Sequence, residues 1–139
     1  MSTKAEQAIA FHDQGYNCAQ AVACSFCEEF GVDREEMFKI AEGFGFGMGI
    51  MDMCGALSGM MMVIGLQNSG GDPEKGKMTK GDTYKKVKAY INKFAEQNGS
   101  YLCRDLKGVE TGKILRACPD CIRDAVALTE EYLASQKEK

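Results

Sequence analysis

"TYKKVKAYINKFAEQ", residues 83–97, decides the fold class. Its apolar residues Tyr84, Val87, Tyr90, Ile91 and Phe94 recur at steps of three and four, which lines them along one face of a helix and turns the lysines outward. A strand would alternate apolar and polar residues instead. Asn98 and Gly99 supply the stop. Working outward, Ser100 caps a short turn that carries Cys103 and ends at Gly108. Proline is favoured at the first helical position, so Cys118-Pro119 opens a last helix running on Ile122, Ala125, Val126, Leu128 and Leu133, before a charged tail that frays.

Upstream the pattern persists, again with few β-branched residues. A first helix spans about Thr3 to Gln14, with Ala5, Ala8, Ile9 and Phe11 facing inward and Gly15 closing it. Asn17 caps a second, Cys18 to Phe30, whose stripe is Ala19, Val22, Ala23, Phe26 and Phe30. Asp33, with Glu36 three residues on, starts a third that turns Met37, Phe38, Ile40 and Ala41 inward. Asp52 caps a fourth, which ends near Leu66 before the turn residues Asn68, Gly70, Gly71, Asp72 and Pro73 and a mobile surface loop. The expected fold is all-α, a compact single-domain bundle of about five to seven helices over residues 1–139.

Composition narrows the function. With 17 basic and 20 acidic residues the net charge is -3, and the lysines of 75–88 are diluted by Glu74 and Asp82, so nucleic acid is not an expected partner. The start, MSTKAEQAIAFHDQG, lacks the apolar region and cleavage site of a secretory signal, so a cytoplasmic location is expected. The uncharged run Met53–Leu66 is too short to span a bilayer, and its Gly55, Gly59 and Gly65 suit close helix packing. One histidine, His12, gives hydrolytic triads no support and reads as structural or solvent-facing. The methionines, Met60–Met62 included, read as core filler.

Seven cysteines in a reducing compartment argue for metal binding or redox chemistry over a disulfide scaffold. Three sit where helix N-termini favour thiolate: Cys18 after Asn17, Cys54 after Asp52, and Cys118 at the start of the last helix. Cys103 lies beside Arg104. These four are the candidates for one shared site, assembled by the tertiary fold because their spacings match no local ferredoxin or zinc-ribbon run. Cys118-Pro119-Asp120-Cys121 is a C-x-x-C able to cycle as a dithiol or to give two ligands to one metal. Cys24 and Cys27 form a second C-x-x-C, but mid-helix, where Cys24 points away from the apolar stripe and reads as incidental.

Glycines 43, 45, 47 and 49 alternate strictly, unlike a nucleotide-binding cradle, and no strand precedes them. Such backbone can pass close to another group and offer amides to sulfur, with Phe44, Phe46 and Met48 anchoring the loop in the core. Gly45, Gly47 and Gly55 are the glycines expected around the site.

With Cys54-Gly55-Ala56-Leu57-Ser58-Gly59 in view, the chain resembles the C_GCAxxG_C_C family, marked by a CGAxxG motif. The likeness takes in GFGFGMGIMDM, GYNCAQAV with Cys18, GSYLCRDLKG with Cys103, and CPDCIRDAV, nearly the whole chain. It implies four characteristic cysteines at Cys18, Cys54, Cys103 and one of the last pair, where spacing favours Cys118 over Cys121, and leaves Cys24 and Cys27 as extras. The family is described as redox-active and is often encoded near transporter genes. It is similar to the iron–sulfur part of split-Soret cytochromes, which implies a cysteine-held iron–sulfur cluster for electron transfer or redox sensing, served by a redox partner protein. A metal-free thiol–disulfide oxidoreductase and a structural zinc site in an interaction domain are the alternatives, and a homodimer is compatible with each.

Overall fold

The computed structural model describes residues 3–137. It is all-α, with eight α-helices and no strand among the described residues. The order is α1 (Thr3–Asp13), α2 (Cys18–Ser25), α3 (Cys27–Phe30), α4 (Arg34–Ala41), α5 (Gly55–Asn68), α6 (Lys80–Asn98), α7 (Cys103–Lys107) and α8 (Cys118–Lys137). None is long and apolar enough to cross a membrane.

The centre is α2 packed on α5. Every residue of α2 from Ala19 to Ser25 is buried, because short alanine side chains let neighbours close in on all sides. On α5, Gly59 is the point of nearest approach: a Cβ there would stand 2.7 Å from the Ala19 carbonyl oxygen and 2.9 Å from Val22 Cβ. Helices α1, α4, α6 and α8 cover this pair, and Phe26, Leu57, Met60, Ile64, Ile122 and Tyr132 are fully buried between them. Each such side chain contributes roughly 1.5–3 kcal/mol by leaving water. That outweighs propensity in α3 and α7, which are too short to form alone.

Several boundaries differ from the sequence reading. The second helix is interrupted at Phe26, which caps α2 at its end and α3 at its start, and Gly31 (φ 64) then stops the chain. The break leaves α3 free to turn towards α4. Ile40, expected inward, is 57 % exposed, since α4 buries only Met37 and Ala41. Cys54, not Asp52, is the N-cap of α5, which runs to Asn68. Helix α6 begins at Lys80, a turn earlier than Thr83, and α7 is capped at Leu102. Ser100 still ties that turn down, accepting from the Leu102 N–H (3.0 Å) and donating to Asp105 (2.8 Å). Helix α8 opens at Cys118 as expected and continues to Lys137; the end of the tail lies outside the described residues.

The glycine-rich stretch departs furthest from expectation. It forms a short 3₁₀ turn, Glu42–Phe44, then a wide turn over Gly47–Met51 closed by the Asp52 N–H to the Gly47 oxygen at 3.0 Å. Phe46, Met48 and Met51 have φ of 54, 61 and 56°, in the left-handed region that non-glycine residues avoid. Phe44, Phe46 and Met48 are exposed and do not anchor the loop in the core, because this backbone turns them outward while Gly45 and Gly47 face in.

Candidate functional site

Two extended residues set the first pair of cysteines. Met53 and Leu102 form an isolated antiparallel bridge, in which the Cys54 N–H donates to the Tyr101 oxygen (2.8 Å) and the Cys103 N–H to the Asp52 oxygen (2.6 Å). Neighbouring backbones are thereby locked side by side, and both cysteines leave the bridge together at the starts of α5 and α7.

Cys18 is placed by a capping box. The Asn17 side chain accepts from the Gln20 N–H (2.9 Å), the Gln20 side chain accepts from the Asn17 N–H (2.8 Å), and Asn17 Nδ2 donates to the Glu42 oxygen (2.9 Å). Gly45 passes directly beneath Asn17, and Gly55 lies against Gly45 and Cys18: a Cβ on Gly55 would be 3.2 Å from Gly45 Cα and 3.3 Å from Cys18 Cβ. These two glycines let the start of α5 and the preceding turn close onto Cys18. Gly47 serves the turn itself, since its φ is positive and a Cβ would strike the Asp52 amide.

Helix α8 brings Cys118 and, one turn on, Cys121. The result is a cavity of about 200 Å³ lined by Cys18, Cys54, Cys103, Cys118 and Cys121. All five expected cysteines converge there, and both members of the final C-x-x-C take part. Cys24 and Cys27 do not: they are core residues whose thiols donate to the Arg34 (3.8 Å) and Ala23 (3.5 Å) carbonyl oxygens. Burial, with Cys27 alongside, pushes the Cys24 thiol up to about 12.

Within the cavity the thiols pair. A hydrogen bond from the Cys18 thiol, joined by the charge of Lys107, brings Cys118 down to about 5, while the same bond and burial hold Cys18 well above the usual thiol range. The Cys121 thiol likewise donates to Cys54, and the amides of Ala56 and Leu57 at the start of α5 add to that effect. Cys54 is lowered and Cys121 raised. Burial raises Cys103 and the nearness of Lys107 partly offsets it, so Arg104 does not make it the thiolate its sequence position suggested. No disulfide joins any of the seven.

Three basic residues that the sequence reading did not place at the site also line it: Lys107, His12 and Arg116. Lys107 Nζ donates to Cys118 Sγ at 3.4 Å and stands 5.5 Å over the Phe46 ring, and its own pKa rises because the sulfur charge outweighs burial. Arg116 is held by a bidentate pair with Asp124 (3.0 and 3.1 Å). The signal for Lys107 was present in its one-turn spacing from Cys103; His12 reaches the site only through the packing of α1 on α2 and α8. Among the described residues, no three His, Cys, Asp or Glu side chains are grouped closely enough to grip a single metal ion.

The protein-family model described as "Putative redox-active protein (C_GCAxxG_C_C)" matches residues 16–132, a span that contains every cysteine of the cavity. No curated protein and no solved structure matches the chain.

Proposed function

This chain belongs to the C_GCAxxG_C_C family, and from that premise we propose that the five-cysteine cavity is a redox centre holding an iron–sulfur cluster. The observation that carries the reading is the gathering of five thiols from four separate stretches of chain around about 200 Å³. A dithiol needs two. The donor set fits such a cluster, which takes four cysteine sulfurs and is wider than a single ion, so its ligands need not crowd together. Cys18, Cys54, Cys103 and Cys118 are the proposed ligands, with Cys121 the alternative to Cys118.

When bound, the cluster supplies one-electron transfer. The chain's own contribution is to hold the sulfurs and set their surroundings. Cys121 donates to the Cys54 sulfur, the Ala56 and Leu57 amides face it, and Lys107 offsets negative charge at Cys118. Hydrogen bonds and positive charge at sulfur both favour the reduced state. Phe46 and Leu106 border the cavity and limit water.

One observation favours a second reading. Cys18 with Cys118, and Cys54 with Cys121, face each other as pairs in which one thiol's pKa is lowered and its neighbour's raised, the arrangement from which a disulfide forms when a partner takes two electrons. Anaerobic purification with iron and sulfide analysis, visible spectroscopy and thiol titration on one sample separates the readings. Visible absorption with bound iron and sulfide, lost on Cys18→Ser, Cys54→Ser, Cys103→Ser or Cys118→Ser and kept on Cys24→Ser and Cys27→Ser, supports the cluster. A colourless protein with a reversible dithiol supports the second reading. If Cys24→Ser removes iron as Cys54→Ser does, the ligand assignment is wrong.

A further inference from the structure

Arg116 belongs to two cavities at once. It lines the cysteine cavity, and it also lines a second, polar cleft of about 550 Å³ between the end of α6 and the middle of α8, with Gln97, Asn98, Asp124 and Glu131. One residue is therefore common to an open cleft and a set of buried sulfurs. The sulfur against it is Cys121, only 3 % exposed, whose thiol donates to the Arg116 carbonyl oxygen at 3.8 Å. Cys18 and Cys118, by contrast, are already partly exposed.

The segment that carries Arg116 is lightly held. Residues 109–117 join α7 to α8 without a helix of their own, and all of them except Arg116 are exposed, so no side chain anchors the segment in the core. At the α7 end the backbone is tied by the Leu115 and Arg116 N–H groups, which donate to the Leu106 oxygen at 3.0 and 3.3 Å. Gly108 (φ 70) folds the segment back on itself, because a Cβ there would strike the Lys113 carbonyl. On the α8 side the side-chain tie is the bidentate pair of Arg116 with Asp124, at 3.0 and 3.1 Å. Both partners are only partly buried, which leaves the pair within reach of water and salt. A segment with so few buried contacts opens locally, far more readily than the fold as a whole.

We propose that residues 109–117 form a strap over the inner sulfurs, latched by Arg116 and Asp124, and that its lifting opens a route from the outer cleft to Cys121 and its neighbour Cys54. With the latch closed, Arg116 walls the cleft off and its carbonyl oxygen holds the Cys121 thiol. With the latch open, the strap stays attached through α7 and α8 and swings on Gly108, and the inner sulfurs gain an entrance separate from the one at Cys18 and Cys118. Arg116 and Asp124 touch no reacting atom, so theirs is a positioning role. The strap goes beyond the redox reading and does not depend on what the cavity holds.

The test is iodoacetamide labelling of the reduced, metal-free full chain, resolved residue by residue by mass spectrometry, with hydrogen exchange of the strap measured alongside. Asp124→Asn keeps the shape of the side chain and removes its charge. It should speed labelling of Cys121 by about fivefold, the scale of a partly buried bidentate pair, and should speed exchange of the Leu115 and Arg116 amides by a similar factor. Added salt should speed Cys121 in wild type and leave the variant unchanged. Glu131→Gln breaks the Lys93 pair in the same cleft, leaves the latch whole, and should alter neither rate. An unchanged Cys121 rate in Asp124→Asn overturns the proposal. Faster labelling without faster exchange of the strap also overturns it, since Asp124 would then act on Cys121 through its charge alone. So does a rise shared equally by Cys24 and Cys27, which lie in the core and would report a general loosening of the fold.

Discussion

Replacing Gly45 by alanine tests how the turn and the cysteine cavity are joined. Its backbone (φ -71°, ψ 164°) suits any residue, so no conformational penalty enters. Contact alone decides: the new Cβ would stand 2.4–2.6 Å from Cγ, Nδ2 and Cβ of Asn17, far inside van der Waals distance. Asn17 must move, and its side chain caps α2 through the Gln20 N–H and ties the turn through the Glu42 oxygen. Losing a cap costs about 1 kcal/mol. Losing the second bond costs about 0.5–1.5 kcal/mol. Against this, alanine in place of glycine restricts the unfolded chain and returns about 0.4–1 kcal/mol. The net expectation is a loss of about 1 kcal/mol. Gly43→Ala, with no atom within 4 Å of its Cβ, keeps the gain alone, so the two variants should differ by about 2 kcal/mol. Urea unfolding of the metal-free chain, followed by circular dichroism, measures the difference as a midpoint shift at constant slope. In an Asn17→Gly background, which removes the struck atoms, the cost of Gly45→Ala should vanish. An undiminished cost there would refute the contact as its cause.

Four further outcomes are expected. Because Cys118 sits near 5 and an ordinary thiol near 9.0, the unfolded chain binds a proton there that the native chain does not; stability of the reduced, metal-free protein therefore rises from about pH 5 to 9 and is lost on acidification through that window. Iodoacetamide should accordingly modify Cys118 already at mildly acidic pH, with Lys107→Met moving the onset upward, and mass spectrometry showing all thiols reacting together only in alkali would refute it. Gly59→Ala forces α5 away from the Ala19 carbonyl and should cost about 1–3 kcal/mol in thermal unfolding, with iron retention falling alongside. Tyr132→Phe removes the buried hydroxyl's bond to Gln67 and should cost about 1 kcal/mol without changing iron content, the bond lying in the core well away from the cysteines.

Much of the helical architecture was legible because it rests on local patterns. The stripe on Tyr84 to Phe94, the Asn17 cap and the Cys118-Pro119 start each state a periodic or capping rule within a few residues. The convergence of the cysteines was inferred from their thiolate-favouring positions. What escaped depends on contacts between distant segments. Ile40 turned outward because the buried line of α4 runs through Met37 and Ala41, and at 100° per residue Ile40 lies off that line, on the solvent side. The outward-facing phenylalanines follow from left-handed φ values at Phe46 and Met48, which composition does not encode. Lys107 and His12 became site residues only when α7 and α1 were set beside α8.

The bridge between Met53 and Leu102 has a consequence for how the molecule comes into being. It couples two cysteines separated by all of α5 and all of α6, and the remaining partners on α8 follow later still along the chain. A ribosome therefore exposes Cys18 and Cys54 long before their companions exist. The five-cysteine cavity therefore closes only once the last helix has been made and packed, so its assembly is a late event in the folding of the chain.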